Sequence, residues 1–307
     1  MASSSAFASI ADVFPDMASL HNLSAPAKLN LFLHVVGRRP DGYHLLQSVF
    51  VMIDWADTLH IDTRDDGRIH RHDIGERLPE DDLCLRAARL LQQACGCPFG
   101  ADIHIDKQVP WGAGMGGGSS DAATVLLALN QLWKLHLPPE QLGALALQLG
   151  ADVPFFVGGR NAWVEGVGES ITPLQMPQEV LSTPIAVLKP PVAVPTQAIF
   201  GSPNLKRDTK PAIVADFLAA PKCFGRNDLQ GPAQQYSSQV SQALEIMQNR
   251  FGNSRMTGSG SAVFSWFNQE NTTPDTFSAA GLELSDPTWA GRACRVLDRH
   301  PLLDVLS

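Results

Sequence analysis

The chain has 307 residues, 44% apolar and 18% charged, the balance of an ordinary soluble globular protein with room for two domains or one large one. Its formal charge of −8 argues against binding DNA, RNA or an anionic membrane by general attraction, though not against a local pocket for one nucleotide. No stretch approaches the ~20 apolar residues that cross a bilayer. The cysteines, Cys84, Cys95, Cys97, Cys223 and Cys294, are odd in number and lack paired spacing. They read as free thiols in a reducing compartment, with Cys95-Gly-Cys97 a buried or helix-end pair before it is half a metal site.

Residues 1–22 are rich in Ala and Ser and contain no Lys or Arg. They lack the basic region of a secretory signal and the arginines of a transit peptide, so a disordered tail and a cytoplasmic location are expected. From Ala27 to Val35 the pattern has period two, a strand with Ala27, Leu29, Leu31, Leu33 and Val35 on the buried face. Lys28, Asn30 and His34 share the other face with Phe32. A turn follows at residues 37–42, then strands at residues 47–53 and 58–63. The charged run 64–80 predicts a solvated loop or edge hairpin. Residues 81–94 predict a helix with Leu83, Ala87, Leu90 and Leu91 on one face, and residues 101–106 a strand.

That strand leads into Pro110-Trp111-Gly112-Ala113-Gly114-Met115-Gly116-Gly117-Gly118-Ser119-Ser120-Asp121, after which an apolar helical pattern begins. Glycines let backbone approach a ligand, and Ser119, Ser120 or Asp121 is expected to cap the helix. Loose N–H donors opening a helix dipole make a phosphate cradle. No Lys follows the last glycine, which excludes the Walker type. Gly112, Gly114 and Gly117 spell the dinucleotide fingerprint, but the context fails: where a second strand should end in an acidic residue, the chain reads Leu135-His136-Leu137-Pro138-Pro139-Glu140.

Residues 139–149 predict a further helix, and Gly150-Ala151-Asp152-Val153-Pro154 an irregular corner. There Asp152 is either a base facing a cleft or the cap of a short turn. A hairpin is expected over residues 163–172. After a proline-rich passage come a buried strand at 184–188, helices at 213–218 and 237–249, and strands at 262–267 and 293–297. Before the first of these two strands stands Thr257-Gly258-Ser259-Gly260, a second close-approach turn. Mixed strands and helices without regular βαβ spacing indicate an α+β fold.

Taken in order, Pro26-Ala27-Lys28-Leu29-Asn30-Leu31, the glycine loop and Thr257-Gly258-Ser259-Gly260 resemble the three motifs of the GHMP small-molecule kinases. The resemblance runs from about Leu23 to the last strands. It implies a ribosomal-S5-domain-2-like, ATP-binding half over residues 23–178 and a ferredoxin-like, substrate-binding half over 179–307. Further blocks at residues 24–31, 40–44, 150–156 and 162–169 narrow the likeness to the branch acting in the non-mevalonate route to isoprenoids. Its acceptor is a methylerythritol carrying a cytidine diphosphate. Phosphoryl transfer from ATP to the acceptor's 2-hydroxyl is therefore expected.

The resemblance implies roles residue by residue. Pro110 to Ser120 hold ATP. Asp152 is the base for the alcohol, and Lys28 favours the charged forms beside it. Asn30 orients the hydroxyl or Lys28. Tyr43 stacks on the cytosine, His44 hydrogen-bonds it, Phe200 lies on its other face, and Thr196 lines the pocket. Magnesium is expected to arrive with ATP, touched by Ser119 or Ser120, with no metal site held by the protein alone. Trp111 stands where the family carries Met or another apolar residue, and Cys84 and Cys223 have no assigned role. Other GHMP members lack a base to stack, and a non-catalytic sensor would have lost Lys28 or Asp152. A nicotinamide enzyme would bind NAD instead of ATP.

Overall fold

A computed structural model describes residues 18–75, 77–267 and 288–305. The expected tail lies outside these up to residue 17. Its last four residues are a correction: Ser19 to Asn22 already belong to the first strand, β1, which runs Ser19–Arg38. Pairing explains this, because Ser19 and Leu20 face Asp62 and Ile61 across an antiparallel ladder.

The partner is β2, His44–Arg64, one strand where the sequence suggested two. The apparent break at Asp54 is a bulge. Pro26 faces Ala56 but Lys28 faces Met52, so a short step of β1 matches a longer one of β2. Such a shift turns side chains to the opposite face. Leu23 and Ala25 lie in the core under the helices, whereas Ala27, Leu29 and Leu31 lie in the core on the other side of the sheet. The bulge therefore swings Lys28 and Asn30 toward the glycine loop. That face is not open to solvent: Lys28 and Asn30 are 4% and 1% exposed.

The charged run contains strand β3, Ile69–Ile74, parallel to β4, Gly100–Asp106. Between them comes α1, Leu83–Cys95, capped by Asp82 accepting from the Leu85 N–H at 3.0 Å. Helix α2 spans Gly117–Leu132 and α3 Pro139–Leu149. The six-residue α4, Val153–Gly158, precedes the hairpin of β5, Ala162–Gly166, and β6, Ser170–Pro173. The first sheet runs β3-β4-β2-β5-β6, with β1 on the other edge of β2.

Helix α5, Gln178–Ser182, leads to β7, Ile185–Lys189. Then come α6, Thr196–Gly201, α7, Val214–Ala219, α8, Gln230–Tyr236, and α9, Ser238–Phe251. Strands β8, Arg255–Met256, β9, Val263–Trp266, and β10, Ala290–Cys294, complete a second sheet ordered β10-β7-β9-β8, and α10 is Leu302–Val305. Strand β7 alternates: Ile185 and Val187 pack toward the first sheet, Ala186 and Leu188 toward α9. The layers run helix, sheet, sheet, helix, an α+β arrangement as expected. None of the described helices is long and apolar enough to cross a membrane.

Candidate active site

The glycine loop folds for a local reason. Gly116 takes φ +69° and ends the loop, so α2 begins at Gly117, earlier than the serines. The expected side-chain cap is therefore corrected: no side chain caps α2, and Ser119, Ser120 and Asp121 lie inside its first turns. The first intrahelical bond runs from the Ser120 N–H to the Gly116 C=O at 2.9 Å. The N–H groups of Gly117, Gly118 and Ser119 precede it and point from the helix end. They open on a pocket of about 390 Å³ lined by residues 110–119 with Leu78, Pro79 and Leu83. Trp111 stands 49% exposed at its lip. Ser120 is not on the wall; its hydroxyl is buried and has no hydrogen-bond partner among the described residues.

On the other side of the loop opens a larger cleft of about 770 Å³. Gly114 and Gly116 line both cavities, so the two meet at the loop. Lys28 reaches into the larger one from β1. Its Nζ donates to Asn30 Oδ1 at 2.6 Å, stands 3.5 Å from Asp152 Oδ2, and lies 4.6 Å above the Phe50 ring. Asp152 precedes α4, yet its side chain makes no capping bond there, and it is 32% exposed at the cleft. Of the two sequence readings of Asp152, the geometry thus keeps the cleft-facing carboxylate. Asn30 is held from two sides: one amide N–H donates to Ser48 Oγ at 2.9 Å, and its carbonyl accepts from Lys28. It therefore orients the lysine, and its second amide N–H remains for a ligand in the cleft that Asn30 lines.

The far end of the cleft carries Tyr43, His44, Thr196 and Phe200. Tyr43 is 61% exposed, which excludes core packing. The His44 and Phe200 rings lie 5.0 Å apart, tilted by 33°. Thr196 Oγ1 and Ser259 Oγ are 2.8 Å apart, tying α6 to the second glycine turn. That turn supports the loop from behind. A Cβ on Gly114 would stand 2.6 Å from the Thr257 carbonyl, and one on Gly258 2.7 Å from the Gly114 carbonyl. Thr257 also receives the Asn30 N–H on its hydroxyl at 2.9 Å. All three motifs therefore touch.

Sequence reasoning missed two groups. Beneath the loop, Lys107 Nζ bridges Asp57 and Asp121, 2.6 Å from the latter, and all three side chains are buried. Burial, with Asp57 alongside, pushes the Asp121 carboxyl well above the usual carboxylate range against the pull of Lys107. Asp57 Oδ1 also accepts the N–H groups of Gln108 and Val109 at 2.6 and 2.8 Å, anchoring the strand that enters the loop. The signal was present: Asp57 sits in a polar patch between two apolar strand segments. The second group is Arg207, which donates from Nε to His44 Nε2 at 3.0 Å. Nothing in its sequence surroundings marks it.

A loop of free N–H donors, an ammonium and a carboxylate at the junction of two pockets form a layout for group transfer between a phosphorylated donor and an alcohol. Comparison with known proteins agrees. Residues 82–160 match the family model of the GHMP kinases N terminal domain. The chain is 62% identical over 286 residues to a 4-diphosphocytidyl-2-C-methyl-D-erythritol kinase of Methylibium petroleiphilum, covering 92% of this chain and 97% of that one. It is 52% identical to the enzyme of that name from Albidiferax ferrireducens, covering 94% and 96%. A crystal structure of 4-(cytidine 5'-diphospho)-2C-methyl-D-erythritol kinase superposes with TM-score 0.74 at 35% identity, covering 91% and 99%. The Methanococcus jannaschii mevalonate kinase, at 13% identity, TM-score 0.65 and coverage of 92% and 99%, shares the fold.

Proposed function

The chain belongs to the 4-diphosphocytidyl-2-C-methyl-D-erythritol kinases, and on that premise we propose how its own residues perform the reaction. The activity is ATP-dependent phosphorylation of the 2-hydroxyl of 4-diphosphocytidyl-2-C-methyl-D-erythritol, giving the 2-phosphate and ADP. This is a step of non-mevalonate isoprenoid precursor synthesis. What carries the residue assignment is that the two pockets meet at Gly114 and Gly116, with Lys28 and Asp152 on the acceptor side.

In this reading the apolar walls of the smaller pocket, Leu78, Pro79 and Trp111, receive the adenine. The N–H groups of Gly117, Gly118 and Ser119 receive phosphate oxygens. The acceptor lies in the larger cleft, its cytosine against Tyr43, His44 and Phe200 and its middle beside Thr196. Its 2-hydroxyl is then presented between Asp152 and the donor phosphate. Asp152 Oδ2 takes the hydroxyl proton as the oxygen attacks, and the Lys28 ammonium stabilises the charge that develops. Asn30 and Phe50 hold that ammonium in place.

Magnesium bound with ATP would neutralise phosphate charge. The residues fit an ion carried by the nucleotide. Among the described residues no group of three His, Cys, Asp or Glu side chains is arranged to hold a metal. Of the carboxylates on the pocket wall, Asp82 caps α1 and pairs with Arg71, Asp121 pairs with Lys107, and Asp81 is largely exposed beside Arg89. In this reading the Ser119 hydroxyl at the loop touches the ion. We place the enzyme in the cytoplasm, where ATP is available, with small molecules rather than nucleic acid as its partners.

The test is ADP release with ATP, Mg²⁺ and the cytidine-bearing acceptor, in wild type and Asp152→Asn. Turnover by wild type and a loss of ~10²-fold or more in kcat for the variant are expected for a lost general base. Turnover of the variant near the wild-type rate removes Asp152 from this role. A folded wild type that phosphorylates only alcohols without cytidine removes the acceptor.

A further inference from the structure

The guanidinium of Arg207 is held in a fixed pose. Its Nη2 donates to the Phe200 and Ser202 carbonyls at 3.0 and 2.8 Å, its Nη1 to the Leu205 carbonyl at 3.0 Å, and its Nε to His44 Nε2 at 3.0 Å. An arginine donates and never accepts. His44 Nε2 must therefore present a lone pair, and the ring proton must sit on Nδ1. Among the described residues Nδ1 has no partner, and His44 forms part of the cleft wall.

We infer that Arg207 is a positioning residue which locks His44 as the neutral Nδ1–H tautomer, and so sets which pyrimidine the cleft accepts. This rests on the functional reading above, that His44 faces the base of the acceptor. Aimed at N3, a lone N–H donor suits cytosine, whose N3 accepts, and opposes uracil, whose N3 carries a hydrogen. Two donors left facing each other in a partly desolvated site forfeit a bond and its compensation. The charges around His44 act the same way. Burial, then Arg207, then Arg38 hold its pKa below the ordinary value, so the imidazole stays neutral. Asp41 and Tyr43 also line this end of the cleft. Arg207 further fixes the Phe200 carbonyl, and so ties the base-stacking ring to the base-reading one.

Two measurements test this. In ¹⁵N-histidine-labelled wild type, with the His44 resonances identified by their loss in His44→Gln, Nδ1 is expected to carry the hydrogen. A protonated Nε2 would overturn the inference whatever the kinetics. In steady state, Arg207→Gln is expected to raise KM for the cytidine acceptor ~10- to 100-fold with kcat within about threefold. Its preference over the uridine analogue should fall at least about tenfold, and Arg207→Lys should restore part of neither. A KM raised equally for both acceptors would reduce Arg207 to a loop brace and overturn the inference. Wild type that turns over no cytidine acceptor, with the Nδ1–H tautomer present, would instead overturn the functional reading and the specificity drawn from it.

Discussion

Lys28 is nearly sealed while Asp152, 3.5 Å away, keeps about a third of its side chain open. One group is fixed and the other is reachable, the division expected of a charge stabiliser and a base. A bulkier cation does not fit the same hole: a Cβ on Gly116 would already meet Lys28 Cγ and the Phe156 ring at 3.2 Å. Lys28→Arg is therefore expected to lose ~10²-fold or more in kcat while ATP binding, read by nucleotide fluorescence titration, stays near wild type. Retained turnover would move the charge stabilisation to another group. A different residue contributes to acid stability. His300 is fully buried, accepts the Leu302 N–H on Nδ1 at 3.2 Å, and burial pushes its pKa down to about 4. The unfolded chain then binds a proton that the folded one refuses. This contribution is present in full above the ordinary value of 6.5 and is lost as pH falls toward 4, amounting to roughly 3 kcal/mol. Urea midpoints measured at pH 7.5 and 4.5 should differ clearly less in His300→Gln than in wild type; equal differences would clear His300. Residues that line the cleft stand out in the sequence where a motif surrounds them, as Lys28, Asp152, Tyr43 and His44 do. Arg207 does not, because its contacts are to carbonyls and to a residue far along the chain, and these leave no local pattern.

Elements were legible where periodicity was intact and misread where the chain bulged. The two strands expected at 47–53 and 58–63 are one, because a bulge mimics a strand end in sequence while the ladder continues on both sides. The charged run 64–80, expected as a solvated loop or edge hairpin, contains the edge strand β3, which needs few apolar residues; its Arg71 pairs with Asp73 and Asp82 instead. The glycine loop was legible as a cradle but not its cap, since a positive φ at Gly116 leaves no trace beyond the glycine itself. The triad under the loop carries a prediction at this scale. Lys107→Met strands Asp57 and Asp121 together in a dry site, and breaking such a buried set costs about 3–5 kcal/mol. The thermal midpoint should drop accordingly, and the double variant with Asp121→Asn should recover a good part of the loss. A single variant as stable as wild type would show that the carboxylates relax to solvent.

Across the whole molecule, β1 ties the first sheet to the chain segment that precedes α8. It pairs with β2, donates from Leu33 N–H to the Arg226 carbonyl at 2.9 Å, and accepts the Asp228 N–H on Leu33 at 2.8 Å. We keep the division between the two halves near residue 178, at the start of α5, as a proposal that follows the two sheets. The hydrophobic core does not respect it. Trp55 and Trp163 share one cluster with Trp266, Ile185 and Phe264. Full-length protein should therefore unfold in one step, with tryptophan fluorescence and far-ultraviolet circular dichroism tracing the same curve. Two separated transitions would show halves that fold alone. The backbone contact between Gly114 and Gly258 adds a consequence for descent. What a side chain at either position would strike is the main chain of the other turn, which no substitution can trim. A lineage that loses one glycine cannot regain the fit by altering the other. The two turns, remote in sequence, are bound to be inherited as a single unit.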